Sequence, residues 1–398
     1  MDLTFDERYE AFRREIVEFL AERGKEAPSL AMLLVSDEKA IAWQQTLIER
    51  GYTARTIPKE YGGYGAEPDI LETIILDDEF NKAGIARGLS GQGISMLVPT
   101  LLEHGSEEQK RRWVPPTIQG RVIWCQGYSE PGAGSDLASL QTSAVEDGDD
   151  FIINGQKIWT STAKEAEMMF VLVRTEPNES RHAGISYLLL PMETPGIEIQ
   201  PLRTMTGGEE FSQVFFKDVR VPKANVVGSR GEGWKIANTT LKHERNMLGS
   251  ASGSERVFLM AVEQLRSERR DGEPVLRDPV LSDRLVRLQA RALAMKYHSY
   301  RLLTCQLKGE WPGVAALVTK LDGCQLNHDI SKLAIDAMGE LGVLYHGSKH
   351  QRLGGMWQFQ YMFSLGLIIG GGTAQIQKNI IAERGLGLPR EPRAPEKR

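Results

Sequence analysis

The sequence is poor in the features that announce several large protein classes. Its three cysteines, Cys125, Cys305 and Cys324, lack paired spacing and have no histidines at zinc-ligand intervals. Neither a disulfide framework nor a metal site is expected, and free thiols fit a reducing, cytoplasmic compartment. No basic run stands in the body of a chain whose formal net charge is −5, so there is no electrostatic footprint for nucleic acid. No apolar run approaches the roughly 18 residues of a membrane span; the nearest are short pieces such as Met168 to Val173. The opening MDLTFDERYEAFRREI is charged from its second residue and has no secretory apolar core. A GxxxxGK stretch is missing, and a GxGxxG reading that starts at Gly132 fails at Leu137, so neither a P-loop nor a dinucleotide fingerprint is present.

What remains is a chain of 398 residues with ordinary globular balance, long enough for two or three packed domains. Three textures follow one another. Over residues 1–118 the apolar residues step by threes and fours, as in Phe5, Tyr9, Phe12, Ile16 and Phe19, which predicts an all-helical domain. There Ser106 and Gln109 form a capping box for a helix EEQKRRWV that ends at Pro115-Pro116.

Over residues 119–230 short strand-like runs (VIWCQGYS, DFIINGQKIWTS, MMFVLVRT, GISYLLLP, IEIQPL, FSQVFFKDVRVP) predict an antiparallel β domain. Asn154-Gly155 predicts a tight hairpin within it. Over residues 231–398 helical patterns return near 233–270, 278–307, 313–342 and 372–384, which suggests a four-helix bundle with a flexible tail. The fold class is thus multidomain α and β.

Four segments carry chemistry. In SEPGAGSD, Ser129 to Asp136, two glycines and a proline force a turn whose amides can form an anion-binding nest, although a plain structural turn has the same composition. In IWTS, Trp159 followed by Thr160 and Ser161 offers a flat apolar face beside hydroxyls, suited to a planar heteroaromatic ring or to the core. Glu244 shares a helical stripe with Ala237, Leu241, Leu248 and Ala251, so its carboxylate sits on a mostly apolar face. Desolvation there raises a carboxyl pKa toward that of a general base; a buried partner for Arg245 is the bland alternative. The run Gly249 to Ser254 would leave room beside it. In GGGTAQIQKN, Gly370 to Asn379, three glycines precede a helix capped by Thr373 and offer hydrogen-bond donors but no acid.

In this order and across residues 5–391, these segments resemble the acyl-CoA dehydrogenase family of flavoproteins. KEYGG, EEQKRRWVPP, NGQKIWTS, FFKDVRVPKANVVGSRGEGW and TAQIQKNIIAERGLGLPRE strengthen the match. The resemblance implies an N-terminal helical domain, a middle β domain and a C-terminal four-helix bundle. It implies FAD lined by Gln126, Tyr128, Ser129, Gly134 and Ser135, covered by Trp159, Thr160 and Ser161, and touched by Thr373 and Gln375. Ser135 would also face substrate, with Lys242, Arg245, Gly371 and Gly372. The implied reaction removes a proton α to a CoA thioester while the β-hydride goes to flavin N5, giving a trans-2-enoyl-CoA. The Gly371 amide would stabilise the developing enolate. Electrons would pass to an electron-transfer flavoprotein.

Two departures matter. The family's commonest base lies in Tyr-Glu-Gly-Thr, where this chain reads Gly370-Gly371-Gly372-Thr373. A minority of members place the base one residue before an arginine on the bundle helix, and Glu244 precedes Arg245 there. The Arg-x-x-Phe-Gly stretch that completes a neighbour's FAD site is replaced within RRDGEPVLRDPVLSD, and Gln-x-x-Gly-Gly becomes Asp336-Ala337-Met338-Gly339-Glu340, whose acids would repel a pyrophosphate. This implies either a homo-oligomer or an α2β2 hetero-oligomer with a second family subunit, as in members acting on bulky or steroid side-chain acyl groups. An oxidase or monooxygenase of the same fold and a non-catalytic subunit are the rival readings.

Overall fold

The long apolar runs of the middle segment dictate the first layer. In β4 (Met168–Arg174) successive side chains alternate faces, yet every residue from Met168 to Val173 is buried. Phe170 and Leu172 join one core with Leu97, Leu101, Trp124 and Tyr187, while Met169, Val171 and Val173 join a second with Ile153, Leu188 and Val214. A strand covered on both faces reads as a continuous apolar run. The computed structural model describes residues 6–28, 37–179, 181–247, 250–310 and 313–390.

The chain divides into two compact units. One ends at His243; the other begins at Glu244 and also holds Met205–Gly208.

In the first unit come helices α1 (Glu7–Arg23), α2 (Glu38–Glu49), α3 (Ile70–Ala83), α4 (Val98–His104) and α5 (Glu107–Ile118). Asp6, Asp37, Asp69 and Ser106 cap four of them with side-chain oxygens, and Ser106 with Gln109 completes the expected capping box. The sheet follows: β1 (Trp124–Gly127), β2 (Ser143–Asp147), β3 (Asp150–Ser161), β4, β5 (Ile185–Pro191), β6 (Ile197–Leu202) and β7 (Phe211–Pro222). Its order is β1-β4-β2-β3-β7-β6, with β5 on the other edge of β4. Pairing is antiparallel for β2–β3, β3–β7, β4–β5 and β6–β7, whereas β1 runs parallel to β4. Helix α6 (Gly233–Met247) begins in this unit and buries Ile236 and Ala237 in the first core.

The second unit is helical. Helices α7 (Ala251–Ser267), α8 (Pro279–Leu307), α9 (Ala315–Ala337) and α10 (Met356–Ile369) share one core that includes Phe258, Leu285, Leu333 and Trp357. Strands β8 (Arg269–Arg270) and β9 (Glu273–Pro274) form a small hairpin between α7 and α8, and α11 (Ala374–Ile380) closes the series. No helix is long and apolar enough to cross a membrane among the described residues.

Four local expectations change. Asn154-Gly155 is not a hairpin turn: β3 runs through it, with a bulge against β7 between Ile153 and Gly155. The β2–β3 turn instead lies at Asp147–Asp150, where Gly148 has φ 61°. Asn154 spends its amide on Asp218, accepting from the main-chain N–H at 2.9 Å and donating to the carboxylate at 3.1 Å. Helix α5 does not stop at its prolines but reaches Ile118, helped by the Thr117 hydroxyl, which donates to the Trp113 carbonyl at 2.6 Å. The expected helix 233–270 is two helices, because Ser250 caps a new start at Ala251. The fourth bundle helix is α10, whose nearly all-apolar sequence shows no 3.6-residue contrast.

Gly155 has φ 145°, and a Cβ there would stand 2.7 Å from the Thr142 Cα. Gly155→Ala is therefore expected to destabilise the protein by about 1–3 kcal/mol, read as a lowered urea midpoint.

Candidate functional site

The segment after β1 is tied to β3 by a buried ion pair. Lys157 is fully buried, and its Nζ donates to the Glu130 carboxylate at 2.9 Å and to the Tyr128 carbonyl at 3.1 Å. Glu130 also accepts from the main-chain N–H groups of Gln141 at 2.6 Å and Thr142 at 2.8 Å. Burial pushes the Glu130 carboxyl up, but Lys157 and these donors bring it below the usual carboxylate range. Burial likewise pushes the Lys157 ammonium down to about 8, against the pull of Glu130. Both are ionised at neutral pH.

Around this pair the turn closes on itself: Glu130 and Ala133 exchange two main-chain bonds at 3.0 Å, and the Ser129 carbonyl accepts from Ile158 N–H at 2.9 Å. Gly134 and Ser135 are exposed. No heavy atom lies within 4 Å of a Cβ built at Gly132 or Gly134, so a ligand could approach the backbone there. Asp136 pairs with Arg181.

A second bulge, between Lys157 and Thr160, places Trp159 at φ 61° and leaves it 59 % exposed, its ring edge-on to Phe211 at 6.0 Å. Non-glycine residues in this region are strained, and such strain clusters at ligand sites. Ser161 is half-buried. Tyr128 turns its ring into the core against Phe170 and Tyr187. Among the described residues, Gln126 Nε2 and Thr160 Oγ1 are buried with no hydrogen-bond partner. Each such atom costs about 1–3 kcal/mol unless a further group satisfies it. Unsatisfied polar atoms, an open glycine turn and an exposed tryptophan in one unit are chemically suited to a flavin.

The remaining predicted residues belong to α6 and to the second unit. Lys242 is exposed, and Glu244, the first residue of the second unit, is half-buried. The side chain of Arg245, and Leu248 and Gly249 altogether, lie outside the described residues. Ala251 stands on α7, so the stripe read along one helix from Ala237 is broken after Met247.

Gly370 follows α10, and Gly371 and Gly372 have φ 63° and 95°. Thr373 caps α11 as expected, its hydroxyl accepting from Ile376 N–H at 3.2 Å, and Gln375 is exposed. Beneath this turn lies Lys320, 3 % exposed and within electrostatic reach of Glu244. Asp336 is not an isolated acid: Arg284 pairs with its carboxylate at 2.8 Å, and Arg270 donates to its carbonyl at 3.4 Å.

The N-terminal, middle and C-terminal domain models of acyl-CoA dehydrogenases match residues 6–121, 125–219 and 231–386. The chain belongs to the acyl-CoA dehydrogenase family. It is 40 % identical over 355 residues to acyl-CoA dehydrogenase IpdE1 of Mycobacterium tuberculosis, covering 89 % of each chain. A chain of the solved ChsE4–ChsE5 complex from Mycobacterium tuberculosis matches at TM-score 0.81 and 33 % identity, over 98 % of this chain and 100 % of the other. A chain of the solved Tcur3481–Tcur3483 steroid ACAD matches at TM-score 0.82 and 31 % identity, with the same coverage. As a member of this family the acyl-CoA dehydrogenase is an oxidoreductase acting on acyl-CoA.

Sequence reasoning overlooked Glu130 and Lys157 as partners, and Lys320, Gln377 and Arg284 altogether. The first pair had a signal: Phe151 and Ile153 mark the inward face of β3, and a lysine on a face so buried needs a carboxylate. In this acyl-CoA dehydrogenase, Lys157→Met or Glu130→Gln is expected to cost about 3–5 kcal/mol by leaving one buried charge unpaired, with the double variant recovering part of it. Because the folded Glu130 carboxyl lies below its ordinary value of 4.5, its contribution is complete above that pH and lost as the pH falls below it. The gap between wild type and Glu130→Gln in urea should therefore shrink in acid.

Proposed function

We propose that this chain is the base-bearing subunit of an acyl-CoA dehydrogenase for thioesters of bulky, steroid side-chain type. FAD would be held by Gln126 to Ser135, Trp159 to Ser161 and Thr373 to Gln375. When bound, it supplies the acceptor for the β-hydride. The chain's own work is to bind the thioester, polarise its carbonyl and take the α-proton, so that a double bond forms between Cα and Cβ. Glu244 accepts that proton, and the Gly371 amide meets the carbonyl oxygen as negative charge develops on it. Lys242, Arg245, Gly372 and Ser135 are assigned to the thioester end.

One observation carries this reading: the turn that lacks an acid, Gly370–Gly372, rests on a lysine that is electrostatically coupled to Glu244. The small residues after Glu244 favour a bulky acyl group, as does likeness to a solved steroid ACAD. The electron acceptor proposed is an electron-transfer flavoprotein, and the free thiols fit a cytoplasmic setting.

A mixed assembly follows from the region where other members complete a neighbour's nucleotide site. Here Asp336 is already matched by Arg284, and Arg270 is shared between Asp278 and the Asp336 carbonyl. Cations engaged in this way are poor recruits for a pyrophosphate, so a second family subunit is the proposed supplier of that half. The likeness to a chain of the ChsE4–ChsE5 complex supports it.

Glu244→Gln is expected to keep FAD and lose dehydrogenation about a hundredfold, the scale of a lost general base; near-normal turnover on steroid side-chain acyl-CoAs would sink the assignment. Expressed alone, the chain should hold clearly less than one FAD per polypeptide and regain it on co-expression with a second family subunit. Tight stoichiometric FAD in the isolated chain would overturn the mixed assembly.

A further inference from the structure

The glycine turn is tied by its own main chain at its first residue, where Gly370 N–H donates to the Gly366 carbonyl at 2.7 Å. Gly371 and Gly372 occupy positive φ, open to glycine at no steric cost, and neither contributes a side chain. Further support comes from two residues outside it. Lys320 Nζ donates to the carbonyls of Ile368 at 2.9 Å and Gly372 at 2.7 Å. Gln377 Nε2 donates to the Gly371 carbonyl at 3.2 Å. Ile368 lies in the last turn of α10, where carbonyls lack helical partners and a cation complements the helix dipole.

In a trans peptide the N–H points opposite the C=O. Holding the Gly371 and Gly372 carbonyls therefore turns the following N–H groups away from Lys320 and Gln377. The Gly370–Gly371 peptide, which carries the Gly371 N–H, thus lies between two held peptides: Gly370 N–H donates to the Gly366 carbonyl at 2.7 Å on one side, and the Gly371 carbonyl accepts from Gln377 on the other. The ammonium also carries a formal charge into the interior. Burial pushes its pKa below that of an ordinary lysine, while Cys324, one turn along α9, and Glu244 pull it back up.

We infer that Lys320, with Gln377, is a positioning residue for α-proton removal: together they fix the Gly370–Gly372 turn for the thioester carbonyl. This rests on the reading of Glu244 as the base. Lys320 touches no reacting atom; it acts through the turn.

The test isolates the proton step. 3,3-Dimethylbutanoyl-CoA has α-hydrogens but no β-hydrogen, so it cannot be dehydrogenated, and deuterium uptake from D2O reports base and carbonyl polarisation alone. With the holoenzyme, Lys320→Met is expected to slow exchange about ten- to hundredfold with thioester affinity nearly unchanged, as for displaced catalytic groups. Glu244→Gln should abolish exchange. Exchange that survives in Glu244→Gln removes the base reading itself. If exchange is lost there but Lys320→Met matches wild type, or weakens only binding, the inference about Lys320 is overturned. Should Lys320→Met fail to fold, Gln377→Leu decides: slowed exchange supports the positioning role, and wild-type exchange overturns it.

Discussion

The buried pair of Glu130 and Lys157 is the constraint on which the flavin-suited half of the molecule depends. A lysine at the inward face of β3 is tolerable only because Glu130 and the Tyr128 carbonyl both meet it. Glu130 in turn gathers two main-chain donors from the segment entering β2, so three stretches of chain converge on four polar contacts. Everything that faces outward is hung from that knot. The Ser129–Ile158 bond fixes the turn against the strand, and the bulge two residues later swings Trp159 out while Thr160 stays inside.

Much of this was legible in the sequence, and the parts that were not share a cause. Six of the seven large-sheet strands stand out as apolar runs between turn residues, whereas the half-exposed SAVED of β2 carries little such contrast. Asn154-Gly155 has the composition of a hairpin, but turn propensity loses to the pairing of β3 with β7 on one side and to the close approach of Thr142 on the other. Pro115 and Pro116 each remove a helical donor, yet a threonine hydroxyl and burial of Val114 and Ile118 keep the last turn of α5 wound. Local rules fail where a tertiary contact outweighs them.

The candidate site divides along the same line. Ser129 to Ser135, Trp159 to Ser161 and Gly370 to Thr373 are recognisable because their chemistry lies in short contiguous stretches. Their supports are not, because Glu130 with Lys157, Lys320 with Gly372, and Arg284 with Asp336 are separated by 27, 52 and 52 positions. The last pair adds what the sequence alone does not display: the Asp336 acid is half of an ion pair with Arg284.

The glycine turn shows why moving an acid along a chain changes more than the acid. Where a glutamate in this turn would hold the base and the amide donor on one stretch, the proposed separation of the two leaves the donor without a side chain to order it. A flexible turn would spend binding energy on its own immobilisation. A buried ammonium is a costly way to supply that order, since burial disfavours its charge. The cost is offset twice over: a carbonyl in the last turn of α10 and one in the glycine turn gain a partner, and the charge lies within electrostatic reach of Glu244. An apolar residue at position 320 could fill the same space but would do neither. The lysine is thus better explained by the proposed separation of base and amide than by packing.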